Sequence, residues 1–171
     1  GKNKKRIIFH APTRGLMGYT SRFLTLTKGN GVINRIFHSF GKYTGDLEGR
    51  RNGALISMAS GKAVAFAIFN LQARGEMFVT HNDAVYEGMI VGLSSKSGDL
   101  EINVMKGKQL TNMRTQGTDE NVVLTPVRAM SIAEQLSMLN TDEALEITPK
   151  SLRLRKSMLN PHDRKRKSKA S

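Results

Sequence analysis

The sequence has no cysteine, no long apolar run and almost no acid near either end. Without cysteine, disulfides and thiolate metal sites are excluded, and a reducing compartment, the cytoplasm, is the expected location. No stretch approaches the roughly 18 apolar residues of a membrane helix, so no membrane association is expected. Nor does the N-terminus carry an apolar stretch of signal-peptide length. What remains is a chain of 171 residues, 39% hydrophobic and 24% charged, long enough to bury a real core.

The net charge is +13, and it sits at the ends. Lys2, Lys4, Lys5 and Arg6 crowd the start, while residues 150–171 hold nine basic residues against the single acid Asp163. Between them, residues 7–149 are nearly neutral, with 14 basic and 13 acidic side chains. A neutral body with polycationic ends suits a polyanionic partner, of which nucleic acid is the commonest.

"KRIIFHA" (5–11) reads as a strand ended by Pro12. From Thr13, the spacing of Leu16, Met17, Phe23, Leu24 and Leu26 predicts a helix with Gly29 as its stop. "GVINRIFHSF" (31–40) returns to strand composition. Beyond the glycine-rich "GKYTGDLEGRRNG" the grammar changes. "ALISMA" (54–59), "AVAFAIF" (63–69), "EMFVT" (76–80), "VYEGMIVGLSS" (85–95), "EINVM" (101–105) and "NVVLTP" (121–126) are short strand candidates, with turns at 60–62, 81–83 and 95–99. "SIAEQLSML" (131–139) is a helix with Ser131 and Glu134 spaced as a capping box. "LEITP" and "SLRLRK" form a hairpin-like pair in which Leu152 and Leu154 share one face and Arg153 and Arg155 the other. Together these predict an α+β chain: a β-α-β unit, then a β-rich, barrel-like part with one helix. The last residues, 161–171, lack apolar content and are expected to be a disordered basic tail.

Catalytic signals are missing. The Gly-Lys pairs at 41–42, 61–62 and 107–108 lack the preceding glycine and following hydroxyl of a phosphate-cradling loop. His10, His38, His81 and His162 stand without metal-site spacing, and no Gly-x-Ser-x-Gly elbow occurs. Asp99 and Glu101 lie two apart and read as a solvated face rather than a catalytic pair. The chain is expected to be no enzyme by itself, with no cofactor, metal or small-molecule substrate.

Binding is better supported. "MKGKQLTNMRTQGTDE" (105–120) is far longer than a strand connection needs. Lys106, Lys108 and Arg114 can reach phosphates, Thr111 and Asn112 can hydrogen-bond sugars or base edges, and Gly107 and Gly117 let the backbone come close. An ordered surface loop is the plainer alternative. Arg50-Arg51 reads equally as a salt-bridged turn or a phosphate contact.

The motifs "APTRGLMGYTSRFLTLTKGNGVI", "GRRNGALIS", "GKAVAFAIFNLQARGEMFV", "VYEGMIVG", "GKQLTNMRTQGTDE" and "LEITPKSLRLRK" together resemble the C-terminal part of the BipA/TypA translational GTPases. The resemblance implies that residues 1–40 are the later part of a ferredoxin-like domain of elongation-factor-G type. It implies a family-specific β-rich domain over 41–160, with GTP and Mg bound only in an N-terminal region of the parent GTPase. Implied partners are the ribosome's large-subunit RNA and the acceptor end of A-site tRNA. The 105–120 loop would approach the tRNA through Lys106, Lys108, Thr111, Asn112 and Arg114, and Arg153, Arg155 and Lys156 would contact ribosomal RNA. Where the family often has a second lysine, this chain has Gln109. The implied role lies in translation, ribosome assembly or stress adaptation.

Two alternatives stand beside this one: a protein-interaction or assembly module held by its basic ends, and a stand-alone RNA-binding protein. A half-domain over 1–40 would also leave a sheet edge open to self-association.

Overall fold

The computed structural model describes residues 5–45, 50, 52–107 and 123–170. Its class is α+β, as the patterning predicts.

The N-terminal part holds a 3-10 turn, Thr13–Leu16, and helix α1, Tyr19–Leu26. Gly29 ends α1 as expected: at φ 78° it sits in the left-handed region and its N–H reaches the Leu24 carbonyl at 2.7 Å. Thr27 Oγ1 completes the stop, donating to the Phe23 carbonyl and accepting from Gly31 N–H. The expected flanking strands do not form. Residues 5–12 and 30–45 run without secondary structure, although the His10 and His38 rings lie 4.3 Å apart. A strand is a pairing, and no ladder partner lies among the described residues, so β-like composition alone leaves Ile8 72% and Phe40 96% exposed.

The rest is built on β1, Ala54–Ser57, which is buried along its whole length. It pairs antiparallel with β5, Ile90–Ser94, and parallel with β6, Leu100–Ile102, while β3, Gly75–Met77, joins the far side of β5. The resulting order is β3-β5-β1-β6. Among the described residues β3 and β6 are the outer strands of this sheet, the centre of the expected β-rich part. "ALIS" is continuously apolar because both of its faces are covered. Leu55 points into a core with Ala63, Ile68, Met77, Val91 and Val104, and Ile56 into a second with Ala54, Ile90 and Leu154.

The first core is roofed by a short ribbon, β2 (Gly61–Lys62) with β4 (Ala84–Val85), and by helix α2, Ala65–Gln72. "AVAFAIF" was expected as a strand and "SGK" as a turn. Ala65 and Ala67 favour the helix, which buries Ala67 and Ile68 and leaves Phe69 half exposed. The second core is closed by the hairpin β7 (Glu143–Ile147) and β8 (Leu152–Lys156), as expected from alternation. Helix α3, Ile132–Ser137, carries both hydrogen bonds of the predicted capping box. "NVVLTP" shows no strand over its described residues 123–126; residues 121–122 lie outside the description.

The basic end departs most from expectation. Residues 161–170 form helix α4, Pro161–Ala170, rather than a disordered tail. With α2 and α3, the part beyond residue 50 therefore has three helices among the described residues where one was expected.

Candidate nucleic-acid interface

Strand β6 leads directly to the long basic loop. Its exit is held by buried Val104, whose carbonyl accepts from Val64 N–H at 2.9 Å, and by Asn103 Oδ1, which accepts from Met105 N–H. Past it Lys106 is exposed, and among the described residues nothing lies within 4 Å of the place where a Cβ would stand on Gly107. The returning chain is fastened to the other end of α2. Gln72 clamps Thr125 from both sides, donating to its carbonyl at 3.2 Å and accepting its N–H at 3.3 Å. Val64 precedes α2 and Gln72 ends it, so one helix carries both feet of the loop. Lys108, Thr111, Asn112 and Arg114 lie outside the described residues.

The hairpin separates the other three cations. Arg153 and Arg155 project from the outer face of β8 with side chains about one-third exposed, and Glu146 across the hairpin accepts from Arg153 at 3.0 Å. Tyr86 also donates to Glu146, at 2.8 Å. Burial and this carboxylate together push the Tyr86 phenol up to about 12.

Lys156 does not belong to that surface, which corrects the grouping of Arg153, Arg155 and Lys156. Alternation puts it on the inner face with Leu152 and Leu154, and it is 2% exposed. Its Nζ contacts Asp99 at 2.5 Å and Asp142 and Glu143 at 2.8 Å each. Burial disfavours its charge, but the bonds to these carboxylates more than offset this and raise its pKa. Arg50 holds Glu143 by two bonds and donates to the Met138 carbonyl, so of the two readings at 50–51 it takes the salt-bridged one; Arg51 lies outside the described residues. Asp99 is likewise structural, accepting Ala54 N–H at 2.7 Å.

Helix α4 is the basic surface that composition concealed. Asn160 caps it through bonds from His162 and Asp163 N–H, and Pro161 occupies the first helical position. "NPHD" was therefore a start signal present in the sequence. Arg164 ties the helix down, bonding Glu101 on β6 at 3.0 Å and the carbonyls of Met158 and Leu159. Lys165, Arg166, Lys167 and Lys169 are exposed. Among the described residues no three His, Asp or Glu side chains gather to hold a metal ion.

Residues 52–161 match the family model of the TypA/BipA C-terminal domain, and residues 1–51 match that of the elongation factor G C-terminus. The chain is 46% identical over 171 residues to a "Large ribosomal subunit assembly factor BipA" of Escherichia coli, covering 99% of this chain and 28% of that protein. Proteins of the same description from Buchnera aphidicola (46% identical, 96% of this chain and 27% of the relative) and Haemophilus influenzae (42%, 97% and 27%) are also similar. The chain thus spans little more than a quarter of the length of these relatives.

Proposed function

The chain belongs to the TypA/BipA family, its residues 52–161 being the family's C-terminal domain, and from that premise we propose that it is the ribosome-binding region of a larger translational GTPase. In this reading it serves assembly of the large ribosomal subunit, the role in its relatives' description. It acts in the cytoplasm, on large-subunit RNA. GTP and Mg belong to an N-terminal region of the parent, because no Gly-Lys pair in this chain has the surroundings of a phosphate-cradling loop.

In this reading an elongation-factor-G-like unit, expected over 1–40, gives way within the 41–53 connection to the family-specific domain, expected over 41–160. The two family matches, which meet between residues 51 and 52, support a division in this connection. Ile8, Phe9, Ile36 and Phe40 are exposed on backbone with no strand partner among the described residues, which supports pairing of the first unit with a preceding region of the parent or with a second copy.

The loop is the probe. Lys106, Lys108, Thr111, Asn112 and Arg114 approach the acceptor end of A-site tRNA, while Arg153 and Arg155 meet ribosomal RNA. The observation carrying this reading is the stem: buried Val104 gives way within two residues to exposed Lys106, and one helix holds both feet. A rigid base that projects a polar, basic segment suits RNA contact, where charge and close backbone approach matter more than burial.

Co-sedimentation with purified large ribosomal subunits across a salt series tests it. Salt-sensitive binding that Lys108→Ala with Arg114→Ala loses, at an unchanged thermal midpoint, is the expected result. Undiminished binding by that variant would overturn the loop assignment, and a collapse in its stability would make the loop structural.

A further inference from the structure

Helix α4 has no apolar face to bury. After Arg164 it reads Lys165, Arg166, Lys167, Ser168, Lys169 and Ala170, all exposed. A helix of this length is marginal in water by itself. Here Lys165 and Lys169 stand four apart, and Arg166 and Lys169 three apart, so like charges adjoin on the helix surface and destabilise it. The first turn is tied to the fold by the Asn160 cap and the Arg164–Glu101 pair, with Asp163 beside them. Beyond that turn the like charges of Lys165, Arg166 and Lys169 oppose the helix. A polyanion would remove that opposition.

We propose that α4 is a second nucleic-acid contact, one that lies along the phosphate backbones of an RNA duplex independently of base sequence. At about 100° per residue, positions 165, 166, 167 and 169 are spread over more than half of the helix circumference. A flat acidic protein surface would meet only some of them, whereas a duplex groove presents phosphates on more than one side. The helix is about 15 Å long, and a duplex carries on the order of one charge every 2 Å of its axis. Charge supply along the two is therefore matched. Arg164 also fixes where this contact sits. Its partner Glu101 lies on β6, five residues before Lys106, hence within about 18 Å of the loop's foot. The Arg164–Glu101 pair thus ties α4 to the strand that leads to the loop.

This contact stands apart from the loop reading and can fail or hold without it. The test is fluorescence anisotropy of the 171-residue chain with a short RNA duplex of arbitrary sequence, at 50–200 mM salt. It compares the wild type with Lys165→Gln/Arg166→Gln/Lys169→Gln, which keeps good helix formers and leaves Arg164 in place. The expected loss is roughly two to three units of the salt slope and on the order of 100-fold in affinity at 0.1 M. Lys165→Arg with Lys169→Arg should retain the slope. An unchanged slope in the triple glutamine variant would overturn the proposal. So would displacement of the duplex by polyglutamate at equal charge concentration, which would point to an acidic protein instead. Loss of duplex binding in this variant beside intact large-subunit binding by Lys108→Ala/Arg114→Ala would keep α4 and reject the loop; the reverse pattern would do the opposite.

Discussion

Glu143 and Lys156 face each other in register across the β7–β8 hairpin, both buried, with Lys156 Nζ 2.8 Å from Glu143 Oε1. Arg50 grips the same carboxylate from the chain that precedes β1, and Asp99, from the turn before β6, lies 2.5 Å from the lysine. One ionic cluster therefore fastens the hairpin to the segments that lead into β1 and β6, two adjacent strands of the loop-bearing sheet. Its centre, Lys156 with Glu143 and Arg50, is excluded from water, so the cluster is costly to break from one side.

Lys156→Ala should accordingly lower stability by about 3 kcal/mol in urea unfolding, since Glu143 and Asp99 would be left short of positive charge. Arg153→Ala and Arg155→Ala remove partly exposed pairs and should each cost at most about 1 kcal/mol. Wild-type stability in Lys156→Ala with weakened RNA binding would return Lys156 to the RNA-facing set.

The same cluster predicts an acid limb. Burial tends to raise Glu143 and Asp99, but bonds from Arg50, Lys156 and the Asn140 N–H in the first, and from Ala54 N–H and Lys156 in the second, hold both below the ordinary carboxylate range. A lowered carboxylate contributes stability above its unfolded value of about 4 and loses it as pH falls through the folded one. Stability should therefore decline from about pH 5 downward, and the decline should be shallower in Glu143→Gln.

At the alkaline end the sign reverses. Tyr86 is raised to about 12, so its neutral form contributes stability that is intact below about pH 10 and lost as pH rises through 12. In an ultraviolet titration one of the three tyrosines should ionise last, and Glu146→Gln should bring it down.

Ser131→Ala removes the acceptor for Glu134 N–H and should cost about 1 kcal/mol by thermal or urea unfolding. Glu134 is held below its ordinary value chiefly by the Ser131 N–H, with Arg128 adding to the effect. Glu134→Ala should cost more than Ser131→Ala, because it removes the bonds to Ser131 N–H and to Arg128 together.

Gly88 sits at φ 81°, with the space for a Cβ already 2.6 Å from the Leu159 backbone. Gly88→Ala should cost about 2 kcal/mol or more, from left-handed strain and from displacement of the segment leading into α4. Wild-type stability in that variant would mean the 157–160 segment moves aside freely.

Where a signal was local, it could be read. The capping box of α3 depends on two side chains three residues apart, the stop of α1 on Gly29, and the β7–β8 pairing on alternation around a short turn. Each needs only its neighbours in sequence. The "NPHD" start of α4 was equally local, and was obscured by the run of charge behind it.

The sequence by itself determined the α+β class, the clustering of charge at the ends, the lack of a phosphate-cradling motif and the family. Only the tertiary structure decided which apolar runs became strands. Residues 5–11 and 31–40 have the composition but no partner among the described residues, and 65–69 became the start of a helix, Ala65–Gln72, that buries Ala67 and Ile68. It also decided which cations are available. Arg153, Arg155 and Lys156 look alike in the sequence, but burial commits Lys156 to three carboxylates supplied by β7, the turn before it and the turn before β6. Periodicity can assign a residue to a face; only packing determines what covers that face.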